Sequence, residues 1–167
     1  MDLLSFIDRG GLIVYILIAI NIVGFSIMMW KLIVLVFSKQ GHNKIVETIV
    51  SELSTVQYTQ EIIRNAINSA VKQLESGLNT IKIIALVSPL LGLLGTVIGV
   101  LNSFDSITAN GLGDPAIFSG GISIALITTV AGLIVAIPHY IGYNYFLGVL
   151  DNLELKIEKK VLQKLSK

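Results

Sequence analysis

The sequence predicts an all-α membrane protein with three membrane-spanning helices and helical extensions on one side of the membrane. Of the 167 residues, 53% are hydrophobic, and the mean hydropathy is +0.80, which is too apolar for a water-soluble globule. Charged residues make up only 14% of the chain, and most of them fall within 39–82 and 151–167. Long apolar stretches lie outside these two charged regions.

Three of these stretches are each long enough to cross a bilayer, for which a helix needs about 20 largely apolar residues. The predicted spans are residues 11–34, 83–104 and 117–147. The third is longer than one crossing, so its helix should project beyond the membrane. Because Asp2 and Asp8 precede the first span, where a signal peptide would be basic, we expect this span to be retained.

The distribution of basic residues predicts the orientation. Lysine and arginine concentrate in 38–82 and 148–167, which are therefore expected to be cytoplasmic. The N-terminus and a hairpin at 105–115 are expected on the opposite side, and Gly111 and Pro115 favour a tight turn there.

Both cytoplasmic segments are predicted to be helical. Apolar residues recur at three- and four-residue spacing through 43–78, with a break between Ser54 and Thr59. The tail carries an apolar stripe from Val149 to Leu165 beside a stripe of lysines. The lysine stripe fits either ordinary packing beneath the membrane, which is the more common use, or a basic collar that faces anionic headgroups or like subunits.

The second and third spans each carry a face of small and hydroxyl-bearing residues, whereas the first span is mostly Leu, Ile, Val and Met and is expected to face lipid. Small residues let helix backbones approach closely in lipid, so we expect the second and third spans to pack antiparallel. A proline inside each of these two spans frees a backbone carbonyl. The residues assigned to helix packing are Pro89, Gly92, Gly95, Gly99, Gly121, Gly132 and Pro138.

The hydroxyl groups leave two interpretations open. They could line a path for water or ions, or they could bond to carbonyls of their own helix and form no path. Residues 11–30, 83–104 and 117–147 contain no Asp, Glu, Lys or Arg. His139 is their one basic side chain, and its position favours an interfacial anchor over a proton relay. An ion path through this protein would therefore need a carboxylate from another chain.

Composition argues against several functions. The chain has no cysteine, and His42 and His139 are far apart in the sequence, so neither a metal nor a cofactor is expected. The net charge of +1 gives no sign of nucleic-acid binding. No nucleophile and base stand in a pattern that predicts an enzyme.

Two motifs resemble a known family. SPLLGLLGTVIGVLNSF, from Ser88 to Phe104, is similar to the second span of the ExbB/TolQ/MotA proton-channel proteins. GISIALITTVAGLIVAIPHYIGYN, from Gly121 to Asn144, is similar to their third span. The resemblance is closest to the ExbB/TolQ branch and implies a single domain of this type over 1–167.

This resemblance implies a multi-pass protein of the bacterial inner membrane with a periplasmic N-terminus and a cytoplasmic C-terminus. It implies a homopentameric ring around the spanning helix of an ExbD- or TolR-type partner, which would supply the membrane aspartate. Proton motive force would then drive a motor that energises outer-membrane transport or maintains envelope integrity, with a TonB- or TolA-type protein as a further partner. The residues expected on the ion path, facing the partner, are Ser88, Thr96, Thr128, Thr129, Tyr143 and Asn144.

The chain departs from the family pattern at Ile124, where many relatives carry a glutamate, so its own lining lacks an acid. ExbB-like and TolQ-like roles both stay open, as do proton and sodium coupling, with protons favoured by the resemblance. The alternative function is a passive oligomeric membrane scaffold that conducts no ions.

Overall fold

The computed structural model describes residues 3–37, 45–51, 60–111 and 115–165, and the elements within these ranges are helices. The all-α fold class predicted from the sequence is therefore confirmed. The five helices, α1 to α5 in chain order, comprise Leu3–Phe37, residues 45–51, Gln60–Glu75, Leu78–Asn110 and Ala116–Leu165.

Three of these helices are long and apolar enough to cross a membrane, as the sequence predicts. The candidate spans are Ser5–Leu35 of α1, Leu78–Asn110 of α4 and Phe118–Leu165 of α5. Only 17% of the most apolar window of α1 is buried inside the protein, compared with 33% for α4 and 39% for α5. The first helix therefore exposes the largest share of its apolar surface, as the expectation of a lipid-facing helix requires.

Helix α4 is longer than the predicted span at both ends. It begins at Leu78, and it continues through residues 105–110, which the sequence assigns to the hairpin. These residues are polar, but the side chains of Ser106, Thr108 and Asn110 each donate a hydrogen bond to the carbonyl four residues earlier, which suits a helix end. The helix stops before Gly111, whose φ of 78° is left-handed.

The cytoplasmic helix predicted over 43–78 is divided in the structure. Helix α3 ends at Glu75, and Gly77 follows in a turn with φ of 85° before α4 begins. The predicted break between Ser54 and Thr59 lies outside the described residues. A left-handed glycine therefore separates two helices that the apolar spacing had joined.

The chain forms two compact units, Met1–Ser26 with Thr80–Ile141, and Ile27–Asn79 with Gly142–Lys167. In the second unit, apolar side chains of α2, α3 and α5 are buried. Near them Lys31 of α1 is also buried, and its Nζ donates a 2.7 Å hydrogen bond to the carbonyl of Leu74, in the last turn of α3. A lysine suits this position because the last carbonyls of a helix have no partner within the helix. The buried apolar residues are Val46, Ile49, Ile63, Ile67, Val71, Phe146, Leu150, Leu153, Ile157 and Val161.

The core of the first unit joins α1, α4 and α5. A kink at Gly11, whose φ is 62°, precedes the two residues of α1 that enter this core. One cluster of buried side chains contains members of all three helices, so α1 packs on the pair formed by α4 and α5. Its members are Val14, Leu17, Ile84, Ile127, Ala131 and Val135.

Helices α4 and α5 are antiparallel and touch through their backbones. A Cβ placed on Gly132 would lie 2.6 Å from the carbonyl oxygen of Ser88, and one on Gly99 would lie 2.6 Å from that of Gly121. Ascending positions on α4 thus meet descending positions on α5. Because these contacts involve backbone atoms, neither site can accept a methyl group without moving a helix.

This geometry predicts opposite effects for two glycine substitutions. Gly99→Ala should destabilise the protein by about 1–3 kcal/mol, the usual cost of overpacking, and lower the apparent Tm measured in detergent. Gly120→Ala is the matched control, since no atom lies within 4 Å of a Cβ at Gly120. An equal loss of Tm in both variants would contradict the close contact.

Candidate functional site

The polar centre of the first unit is a pair of threonines, one on each of the touching helices. The hydroxyl oxygens of Thr96 on α4 and Thr129 on α5 lie 2.5 Å apart. They also lie 3.1 Å and 3.3 Å from the carbonyl oxygen of Ala125, and Thr96 lies 3.2 Å from that of Gly92. Both residues are half-buried, so the pair reaches the surface of the helix pair.

The chemistry of this threonine pair follows from its hydroxyls. Each hydroxyl has one proton to donate and lone pairs that accept. Two protons serve the carbonyls and the contact between the hydroxyls, and the oxygens keep the capacity to accept a hydrogen bond from a proton carrier or to coordinate a cation. A threonine hydroxyl does not titrate near neutral pH, so the pair can orient a mobile proton but cannot release or store one.

Two other predicted path residues occupy a different position. Ser88 and Thr128 are fully buried, and their hydroxyls donate to the carbonyls of Ile84 and Ala125 on their own helices, at 2.7 Å and 2.9 Å. Thr128 fills the space left by the missing side chain of Gly95. Neither residue faces outward for a partner in this conformation. Adjacent helix positions point about 100° apart, which separates Thr128 from the half-exposed Thr129.

Ser103 is a polar contact that the sequence places on the small-residue face but not among the path residues. Its hydroxyl lies 3.1 Å from the carbonyl of Gly99 and 3.0 Å from that of Phe118, so it can link α4 to α5. Its position opposite Gly121, where a Cβ would overlap the serine oxygen, ties it to the same helix contact. Only the three-dimensional pairing of the helices reveals this bond.

The remaining assigned residues are distributed over both units. Tyr143 is half-buried and Asn144 is exposed, and both lie on the part of α5 that belongs to the second unit. Pro89 and Pro138 are half-buried inside helices that continue on either side. Ile124, where many relatives would carry a glutamate, is half-buried on α5.

The sequence-based interpretation of His139 as an interfacial anchor is wrong, because the side chain is fully buried against α1. Its Nδ1 lies 2.7 Å from the carbonyl oxygen of Val135, and since a carbonyl only accepts, Nδ1 carries the proton. The ring packs edge-on against Phe25, with centroids 5.2 Å apart. The missing side chain of Gly24 makes room for Nε2, which has no hydrogen-bond partner among the described residues.

No group of three or more His, Asp or Glu side chains that could hold a metal ion occurs within the described ranges. Fold and site together define a three-span helical membrane protein whose second and third spans share a hydroxyl-bearing contact. The chain belongs to the MotA/TolQ/ExbB proton channel family, whose model matches residues 36–159.

Curated relatives carry ExbB names. The chain is 38% identical to the biopolymer transport protein exbB1 of Vibrio cholerae over 87 residues, which cover 52% of this chain and 38% of the relative. It is 31% identical to the biopolymer transport protein ExbB of Xanthomonas campestris over 106 residues, 64% of this chain and 42% of the relative. It is 36% identical to an ExbB homologue of Methanothermobacter thermautotrophicus over 118 residues, 68% and 42% of the two chains. The chain thus spans about two fifths of the length of these relatives.

The tight contact between Gly24 and the buried histidine predicts an energetic coupling. Gly24→Ala should destabilise the protein because the methyl group would overlap the imidazole of His139. Removing the ring in His139→Ala creates room, so the double variant should be about 1–3 kcal/mol more stable than the sum of the single effects predicts. Thermal unfolding of the four proteins in detergent measures this coupling. Simple additivity would show that the two residues do not touch.

Proposed function

We propose that this chain is the channel-forming subunit of a motor in the bacterial inner membrane that is driven by proton motive force. Membership of a proton channel family and the ExbB names of its relatives support this role. The observation that carries it is the contact between Thr96 and Thr129, two hydroxyls at the accessible edge of a membrane helix pair. Within the ExbB-like role, the motor energises outer-membrane transport. A TolQ-like role in envelope integrity would use the same chemistry.

The proposed mechanism needs a second protein. Residues 83–104 and 117–147 contain no acid, and Ile124 stands where many relatives would carry a glutamate. A proton crossing a membrane normally uses a titratable side chain. An ExbD- or TolR-type partner with one spanning helix would bring an aspartate to the threonine pair. The hydroxyls would then orient the proton that the partner's carboxylate accepts and releases.

The proposed assembly is a homopentameric ring in lipid around the partner helix, with a TonB- or TolA-type protein as a further component. The N-terminus would be periplasmic and the C-terminus cytoplasmic, because segments 38–82 and 148–167 carry most of the basic residues. Tyr143 and Asn144 would form the cytoplasmic exit of the path. Burial of Ser88 and Thr128 limits the proposed lining of the membrane path to Thr96 and Thr129.

Replacing one lining hydroxyl should reduce ion flux without preventing assembly. Thr129→Val keeps the shape of the side chain and removes its oxygen. Loss of such a polar contact costs about 1–3 kcal/mol, and 1.4 kcal/mol corresponds to a factor of about 10, so proton flux should fall about tenfold or more. The measurement is acidification of proteoliposomes that contain the complex with its single-span partner under an imposed proton gradient.

Thr128→Val is the matched control for this experiment. It makes the same chemical change one position away, at a buried hydroxyl that bonds to its own helix, so flux should stay within about twofold of the unmodified complex. Normal flux in Thr129→Val would contradict the proposed path. If no complex conducts ions with any partner and both variants are tolerated, the protein is a passive scaffold.

A further inference from the structure

The charged side chains at the end of α5 are divided between two sides of the helix. Three carboxylates lie on the side next to α3, where they line grooves together with Arg64, and we call this side the acidic flank. Three lysines line another groove next to α2, together with Val46, and we call this side the basic flank. The acidic flank consists of Asp151, Glu154 and Glu158, and the basic flank consists of Lys156, Lys159 and Lys160.

Two leucines lie exposed between the flanks. Leu155 is 64% exposed and Leu162 is 44% exposed, and they line the grooves of the acidic flank. They stand seven residues apart, so they share one face of the helix, two turns from each other. Leucines on the extramembrane part of a helix, bordered by charges, are typical of a surface that packs against another protein.

We propose that the acidic flank of one copy of this chain docks against the basic flank of the next copy, with the exposed leucines bordering the contact. This inference rests on the ring assembly of the proposed function and names the surface that joins its subunits. A contact between two different surfaces of identical chains closes into a ring when its rotation closes. Each copy then uses both of its flanks.

The positions of the charges along α5 suit such a ring. A rotation about one axis keeps every atom at the same height in all copies. Because a helix rises 1.5 Å per residue, Glu154 and Lys156 of the next copy differ in height by about 3 Å at most. Glu158 and Lys159 differ by about 1.5 Å at most. Opposite charges therefore meet along the contact without sliding one subunit past the other.

A second copy explains more of this surface than anionic lipid does. Phosphate headgroups would attract the basic flank. They would repel Asp151, Glu154 and Glu158 on the other side of the same helix, and they would leave the exposed leucines between the flanks without a role. The head-to-tail contact uses the acids, the lysines and the leucines together.

Engineered cysteines test the contact directly, because the full-length chain contains none. The variant Glu154→Cys with Lys159→Cys, oxidised in membranes without a partner protein or ion gradient, should form a reducible ladder of oligomers. Positions 154 and 159 lie about 140° apart around the helix, so they cannot bridge within one chain. Each single variant should give little cross-linking. Dimers from a single variant, or no ladder from the double variant, would overturn the proposal.

Charge exchange provides the second test. Glu154→Lys with Glu158→Lys, or Lys156→Glu with Lys159→Glu, makes both flanks alike and should lower the oligomer fraction in native mass spectrometry about tenfold. All four substitutions together exchange the flanks and should restore assembly. Lys72→Glu on α3, an exposed charge outside the grooves, is the control for net charge.

The outcomes separate this proposal from the proposed function. Failure of the four-substitution variant to assemble, while helical content and membrane insertion stay normal, would overturn the docking of the flanks. Unchanged assembly in the half-reversed variants, with loss of binding to vesicles of anionic lipid, would identify the basic flank as a lipid surface. Neither result alters the proton-flux measurement on Thr129→Val, which tests the membrane path alone.

Discussion

The backbone contact between α4 and α5 determines the rest of the membrane part of this protein. Lipid tails are as apolar as leucine, so two helices in a membrane gain little from burying large apolar side chains and associate through close packing. Glycines at 92, 99 and 132 permit that approach, because a Cβ at any of them would meet backbone atoms of the facing helix. The threonine pair, the Ser103 link and the space for Thr128 all depend on this spacing.

The same contact explains how hydroxyls are accommodated without water. Ser88, Ser103 and Thr128 each donate to a carbonyl, so their polarity is satisfied inside the helix pair. Thr96 and Thr129 are also bonded, but their oxygens lie at the edge of the pair. The protein thus presents hydroxyls without an acid, which is the physical reason for proposing that the path becomes complete only with a partner's carboxylate.

Features that depend on one helix could be predicted from the sequence, and features that depend on facing helices could not. Spacing alone predicts the small-residue faces and the buried stripe of Leu153, Ile157 and Val161. The burial of His139 depends on Gly24, a residue more than 100 positions away in the sequence, and the sequence gives no sign that the two meet. The tail shows its lysine stripe in sequence, but the opposite acidic flank is recognised only when α3 lies beside it. Helix ends at Glu75 and Asn110 were missed because left-handed glycines set them.

The central claim is that this chain supplies hydroxyls and that a partner supplies the acid. The most direct test compares proton flux in proteoliposomes that hold this chain alone, the complex with its single-span partner, and the complex in which the partner's membrane aspartate is changed to asparagine. The account predicts flux only for the complex with the intact aspartate. Flux through this chain alone, or equal flux with the asparagine partner, would contradict it.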